Sequence, residues 1–355
     1  MAKLETTTPP MIYVGSLGPQ ENSYRRMRAL ITLGLEVLPV DTSGSSKNWA
    51  IALAEKLLAR LGAPPDWSSI NTQVLRAVDT GKYRLLWVDG GGKLRRSTLV
   101  QAKNKMPMLI ICHYNSDNAF GRLSSHWRSF RTTIPDYDVH FVPTQRNIKE
   151  YTEVGARRAI RLKRGYCSAS HRPTPLDDED EHRYDSDILF IGHWEPEREA
   201  RIASLIRGGS KVKVIGSKLQ WIRGRYWRII KDHFHPGPVV GTEYAKAICA
   251  ARIVLNFFSK WNLDTENSRM YEIPACGSFM LCERNEENVH VFEEGVEAEF
   301  FSSEEELISK SLYYLAHSTE RQRIASAGHN KCVTAGYDYV SRMDWMLGLI
   351  ADEIS

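Results

Sequence analysis

Apolar and polar positions along this chain fall into blocks that repeat one plan. Short apolar runs stand at residues 11–14 (MIYV), 35–40 (LEVLPV), 85–88 (LLWV), 106–112 (MPMLIIC) and 139–142 (VHFV). They return at 188–191 (ILFI), 211–215 (KVKVI), 250–258 (AARIVLNFF), 277–282 (GSFMLC) and 298–301 (AEFF). Short runs of this kind, bounded by turn formers, read as buried strands. Between them, apolar residues recur at helical spacing in segments 24–33, 50–61, 70–78, 148–153, 244–251, 307–315, 321–328 and 337–350. Gly34, Gly155 and the GAPP of 62–65 are placed to end helices, and the SSEEE of 302–306 is placed to start one. Alternating strands and helices predict an α/β protein with parallel sheets.

The plan is interrupted once. Residues 168–187 hold Pro173, Pro175 and the acid run DDEDE at 177–181, without periodicity. This composition predicts an interdomain linker. A chain of 355 residues has two domains as its prior. The expected division is a Rossmann-like domain over 1–170, a linker over 171–187, a second such domain over 188–336 and a terminal helix over 337–355. That helix is a candidate to cross back to the first domain.

Composition changes this picture little. Hydrophobic residues make up 42% and charged residues 25%, a globular balance. The net charge of +4 suits an anionic small ligand, and nucleic acid is not expected as a partner. The basic run at 157–164 lacks interleaved aromatics and reads as a solvated strand or sheet edge. Six scattered cysteines without a C-x-x-C pair predict buried thiols in a reducing compartment, with no zinc site. No apolar run reaches membrane-spanning length, and residues 1–10 lack the apolar core of a signal peptide. A cytoplasmic protein with no transmembrane segment is the expectation.

Candidate chemistry sits where strands end, because open α/β sheets bind ligands there. Gly15 and Gly18 lie in the loop after the first strand, though not as a dinucleotide fingerprint. The DGGG of 89–92 lacks the lysine of a phosphate-binding loop and reads as a flexible turn. His113 and Asp117 leave the strand at 106–112, with the histidine expected to be exposed. Gly192–Arg198, Gly216 with Ser217, and Gly241 with Tyr244 play the same part in the second half. The stretch 264–277 (DTENSRMYEIPACG) is the most informative, lying between two apolar runs. If a helix starts just after Asp264, Asp264 and Glu272 stand roughly 12 Å apart along its axis. That span is too long for one ion and suits an elongated ligand. Free N–H groups around Glu266, Asn267, Ser268 and Arg269 would suit a phosphate between the two acids. Pro274 disfavours a continuous helix there.

The stretch resembles the E-x-x-x-x-x-x-x-E nucleotide-sugar motif of group 1 glycosyltransferases, with Asp264 in place of the first Glu. Its E-I-P-A-C-G is similar to their E-A-M-A-C-G, and the wording resembles the CgeB-like branch, as does R-A-L-x-x-L-G at 28–34. The resemblance implies the GT-B fold, two Rossmann-like domains facing a cleft. It implies transfer of a sugar from a nucleotide-diphosphate sugar to an acceptor (glycan, protein or small molecule), with no cofactor and no metal. His193 and Arg198 stand where the family has a cation pair for the donor diphosphate. Glu272 would hold the ribose, Asp264 the donor sugar, and Gly241 with Tyr244 the nucleotide base region. His113, Asp117 and the loop at Gly15 and Gly18 would serve the acceptor side. The paired acids imply retention at the anomeric carbon. Two alternatives stay open: a nucleotide-sugar epimerase, and a non-catalytic sugar-nucleotide-binding protein of the same fold.

Overall fold

The computed structural model describes residues 9–43, 58, 66, 69–90, 93–121, 127–235 and 237–351. The helix expected at 50–61 falls almost wholly outside them, as do two of the glycines of 89–92. The chain divides into two compact units. Unit 1 gathers Met1–Lys163, Trp261–Leu263 and Tyr339–Ser355, and unit 2 gathers Arg164–Lys260 and Asp264–Asp338.

Unit 1 is built on six parallel strands: β1 Met11–Gly15, β2 Val37–Asp41, β3 Leu85–Asp89, β4 Ile110–Tyr114, β5 Val139–Val142 and β6 Ala159–Arg161. Their order is β2-β1-β3-β4-β5-β6. Val14 pairs with both Val40 and Val88, so β1 is the strand from which the order runs both ways. Strands buried on both faces carry unbroken apolar runs, which is why Met11–Val14 and Leu85–Val88 show no alternation. The helices Asn22–Thr32 and Ile70–Asp79 follow the periodicity read from the sequence. The helix Tyr339–Leu349 packs on Asn22–Thr32 within this unit, with Met343 and Met346 buried. Buried Arg26 joins them, pairing with Asp89 at 2.7 Å and lying 5.7 Å from the Tyr339 ring.

Unit 2 holds five parallel strands: β7 Ser186–Ile191, β8 Val212–Ile215, β9 Ala251–Asn256, β10 Met280–Glu283 and β11 Glu299–Phe301. Their order is β11-β10-β9-β7-β8, the same winding as the first five strands of unit 1. Leu189, Ile191 and Val254 face one core, and Ile188, Phe190, Ile253 and Leu255 face the other. The reversal point lies between β7 and β9, where Leu189 pairs with Val254. Ser303 caps the helix Glu304–Ala316 by accepting from the Glu306 N–H at 3.1 Å.

Three expectations need correction. The acid run is not an unstructured linker: Asp178–Tyr184 is a helix inside unit 2. Asp177 and Asp180 form its reciprocal capping box, and Tyr184 is buried. Four acids in its first turn suit the positive end of the helix. The strand expected at 106–112 runs instead over Ile110–Tyr114, so His113 is inside it. The helix expected just after Asp264 starts at Arg269 and ends at Ala275.

Candidate functional site

Open sheets of this winding receive ligands where the strand order reverses, at the carboxyl ends of the two strands that flank the reversal. In unit 2 these are the ends of β7 and β9. The loop after β7 opens with Gly192, and a side chain at Gly216 would lie 2.3 Å from the Gly192 carbonyl oxygen. Gly216 therefore lets the backbones after β7 and β8 touch. Ser217, beside it, is exposed. Trp221 Nε1 donates to the same Gly192 carbonyl at 3.2 Å. His193 is exposed, with Nδ1 3.0 Å from Gln220 Oε1.

Arg198 is buried at the start of the helix Pro196–Arg207. It pairs with buried Glu195 at 2.9 Å and donates to the His193 carbonyl at 3.1 Å. Glu195 also accepts the Lys260 N–H at 2.9 Å, which ties the loop after β7 to the loop after β9. Burial pulls the Arg198 guanidinium down to about 10; Glu195 opposes this and Arg269 adds to it. The Nε atoms of Arg198 and Arg269 are both buried without a hydrogen-bond partner among the described residues. Two guanidinium groups that repel each other and keep unused donors make a place where an anion is favoured.

The segment between β9 and the helix Arg269–Ala275 is held by internal bonds. The Asn267 amide donates to Asn256 Oδ1 at 2.9 Å and to the Phe257 carbonyl at 3.0 Å. Its oxygen accepts the Met270 N–H at 3.1 Å. Asn267 thus shapes the loop, and its side-chain donors are committed. Glu266 accepts from the Arg164 N–H at 3.2 Å and from the Tyr271 hydroxyl. The Asp264 carboxylate lies 3.7 Å from the Arg164 guanidinium. Ser268 precedes the helix without a side-chain capping bond.

Glu272 is only 6% exposed. The Tyr244 hydroxyl donates to its Oε2 at 2.7 Å, and His171 Nε2 lies 3.9 Å from Oε1. Burial, then the Glu272 charge, push the Tyr244 phenol well above its ordinary value, so it stays a donor. Tyr244 stands in the helix Thr242–Ala250, preceded by Gly241 at φ +59°. A positive φ there favours glycine.

In unit 1, Gly15 ends β1, and a side chain there would lie 2.2 Å from Ser23 Oγ. Glycine is needed for close packing of the following helix. Gly18 accepts the Glu21 N–H at 2.9 Å, and Asp41 holds the loop by accepting the Leu17 N–H at 2.9 Å. Asp117 is exposed on the loop after β4.

His113 is a correction. It is fully buried, with its ring 4.4 Å from that of Phe130. Its Nδ1 is 3.0 Å from His140 Nδ1, and its Nε2 is 3.2 Å from the Gly90 carbonyl. His140 Nε2 is 2.9 Å from the Ile134 carbonyl. Two neutral rings have two N–H groups for these three contacts. One of the three contacts therefore lacks a proton, and the tautomers of the two rings set which one. Burial depresses both rings, His140 to about 4 and His113 well below its usual range. A buried group locked in this way does not reach an acceptor.

Several residues at the site were not singled out by sequence reasoning. Glu195 stands three before Arg198, a spacing that brings side chains together on a helix start. Arg164 lay in the basic run read as solvated, yet it is buried. His171 lay in the supposed linker and had no signal of its own. Among the described residues, no group of three His, Cys, Asp or Glu is arranged to hold a metal. Among them, too, no helix is long and apolar enough to cross a membrane.

Residues 198–348 match the protein family described as "Glycosyl transferase-like". No curated protein matches the chain in sequence. Among solved structures it is similar to sucrose-phosphate synthase from Thermosynechococcus elongatus, with TM-score 0.61 and 12% identity over 97% of this chain and 98% of that one. It is similar to Anabaena HepE in complex with UDP and glucose, with TM-score 0.63 and 11% identity over 97% and 100%. A glycosyltransferase from Rickettsia africae aligns with TM-score 0.65 and 9% identity over 98% and 99%. At such identities the likeness is one of fold, and the fold is that of GT-B glycosyltransferases.

Proposed function

We propose that the protein is a glycosyltransferase that takes a sugar from a nucleoside-diphosphate sugar bound in unit 2. The observation that carries this reading is the pair Arg198 and Arg269, two guanidinium groups with unused buried donors at the reversal point of the unit 2 sheet. A diphosphate fits the charge and the fork geometry of arginine. His193, exposed at the loop tip, adds a third donor. Glu272, oriented by Tyr244, takes the ribose hydroxyls, and Asp264 the donor sugar. The complexes of HepE with UDP-glucose are of a protein of the same fold, which supports this class of ligand.

Catalysis in this reading is positioning and charge stabilisation of the leaving diphosphate. The sugar is transferred with retention, and the departing phosphate takes the acceptor proton on the same face. The arginines do the work that a metal does elsewhere. Asp117 belongs to the acceptor side, and His113 is withdrawn from it. The scattered cysteines, without a C-x-x-C pair, suit a cytoplasmic setting.

The test is calorimetry with a panel of nucleoside-diphosphate sugars, UDP-glucose first. Glu272→Gln keeps an acceptor for Tyr244 and removes the charge. A hydrogen bond to a charged group contributes about 1.5–3 kcal/mol, so affinity should fall roughly ten- to a hundredfold. Failure of the native protein to bind any donor refutes the reading, and unchanged affinity in the folded variant refutes the role of Glu272. With a donor in hand, turnover should persist in EDTA. Proton NMR should show the donor's anomeric configuration in the product. An inverted product would return the base role to the first unit.

A further inference from the structure

Behind the helix that carries Glu272 lies a second feature that donor binding does not use. Cys276 follows the helix Arg269–Ala275, and its N–H donates to the Glu272 carbonyl at 3.1 Å. Cys249 is near the end of the helix that carries Tyr244, with its Sγ 3.4 Å from the Cys276 carbonyl oxygen. Both cysteines are unpaired and line a cavity of about 400 Å³. Cys249 is half-buried and Cys276 buried. Thr174, Ser278, Ser326 and Asn330 give the cavity a polar lining. Gly277 and Pro173 at its wall are exposed, so solutes reach it.

We propose that Cys249 and Cys276 form a thiol-modification site for small, polar, peptide-like disulfides, with Cys249 as the attacking thiolate and Cys276 as the resolving thiol. The Cys249 thiolate attacks one sulfur of the small disulfide. A Cys249–sulfur bond forms, the small disulfide's own S–S bond breaks, and one half departs as a thiolate. Cys276 then gives its proton to solvent and attacks Cys249 Sγ, expelling the second half as a thiolate. The protein dithiol is oxidised by two electrons, and the small disulfide is reduced to two thiols.

The two sulfurs are unlike, as this sequence requires. The neighbouring Cys276, and after it the Thr174 backbone, draw Cys249 down to about 7 against the effect of burial. The same pairing and burial push Cys276 far up. A thiol with a value near ambient pH is the better attacking group. Cys282 and Cys332 are fully buried, and Cys282 is bonded to Asn256 and Asn288.

The experiment treats the reduced full-length chain with oxidised glutathione, quenches with acid and maps the peptides by mass spectrometry. The native protein should end with the Cys249 and Cys276 peptides cross-linked, having lost two hydrogens. Cys276→Ser should stop with one glutathione on Cys249. Cys249→Ser should leave Cys276 unmodified. Labelling of Cys249 with iodoacetamide in the native chain should rise with pH to half its maximum near about 7. The proposal fails if the first adduct forms on Cys167, the other half-buried thiol. It fails equally if glutathione stays on Cys249 without cross-linking, or if the labelling midpoint is that of an ordinary thiol. None of these readouts depends on donor binding.

Discussion

At the scale of single residues, burial decides which candidates can act. Asp117 and His193 are exposed, whereas His113 and Asn267 are consumed by internal contacts. Glu272 stands between, nearly buried yet held by a single strong donor from Tyr244. The histidine pair gives a pH prediction. Its folded-state values are depressed, so neutral His113 and His140 favour the folded state above the unfolded value of about 6.5. Below that value the unfolded chain takes up protons that the folded chain refuses. Stability is therefore lost as pH falls from about 6.5 towards about 4. The slope should approach about 1.4 kcal/mol per pH unit for each histidine. Urea titrations at stepped pH measure it, and His140→Gln should flatten it. A pH-independent midpoint across that window would mean that the folded chain takes up these protons as readily as the unfolded chain.

At the scale of elements, local sequence and tertiary context disagree in two places. The segment Asp178–Tyr184 is acidic and follows prolines, which is the composition of a linker. It is a helix because Asp177 caps it and because Lys246 pairs with Asp180 at 2.8 Å. Asp177→Ala should cost about 0.5–2 kcal/mol, the loss of a cap. A linker residue would cost nothing, so unchanged urea stability of unit 2 contradicts the assignment. The helix Arg269–Ala275 is short because the loop before it is held back onto β9 by Asn267. Pro274 stands near its end, and Gly277 at φ +75° turns the chain out. Glu272 consequently lies in the first turn of the helix rather than two turns in.

At the scale of the molecule, one winding is used twice. Both sheets run outward from a strand that begins their unit, β1 or β7, and both carry candidate ligand loops at its end. The chain enters unit 2 at Arg164 and ends in unit 1 through the helix Tyr339–Leu349. Met343 and Met346 of that helix are buried against the rest of unit 1. Losing a buried Met side chain costs about 2–5 kcal/mol. Truncation after Asp338 should therefore make unit 1 melt early while unit 2 keeps its own transition. Calorimetry resolves the two, and an unaltered thermogram would show that the helix contributes nothing to unit 1.

The sequence by itself determined the α/β class and most of the strands, because unbroken apolar runs have few other uses in a chain of this charge. It also placed the acid-bearing stretch between two strands and drew attention to Arg198 and Glu272. Only the tertiary structure decided which side chains are spare. That His113 is locked to His140, that Arg164 approaches Asp264 and that Tyr244 orients Glu272 are contacts between residues 27, 100 and 28 positions apart. Local periodicity carries no record of such pairs, since hydrogen bonding and burial depend on what the fold brings alongside. The same reason hid the Cys249 and Cys276 pair, 27 residues apart in the chain and adjacent only once two helices have packed.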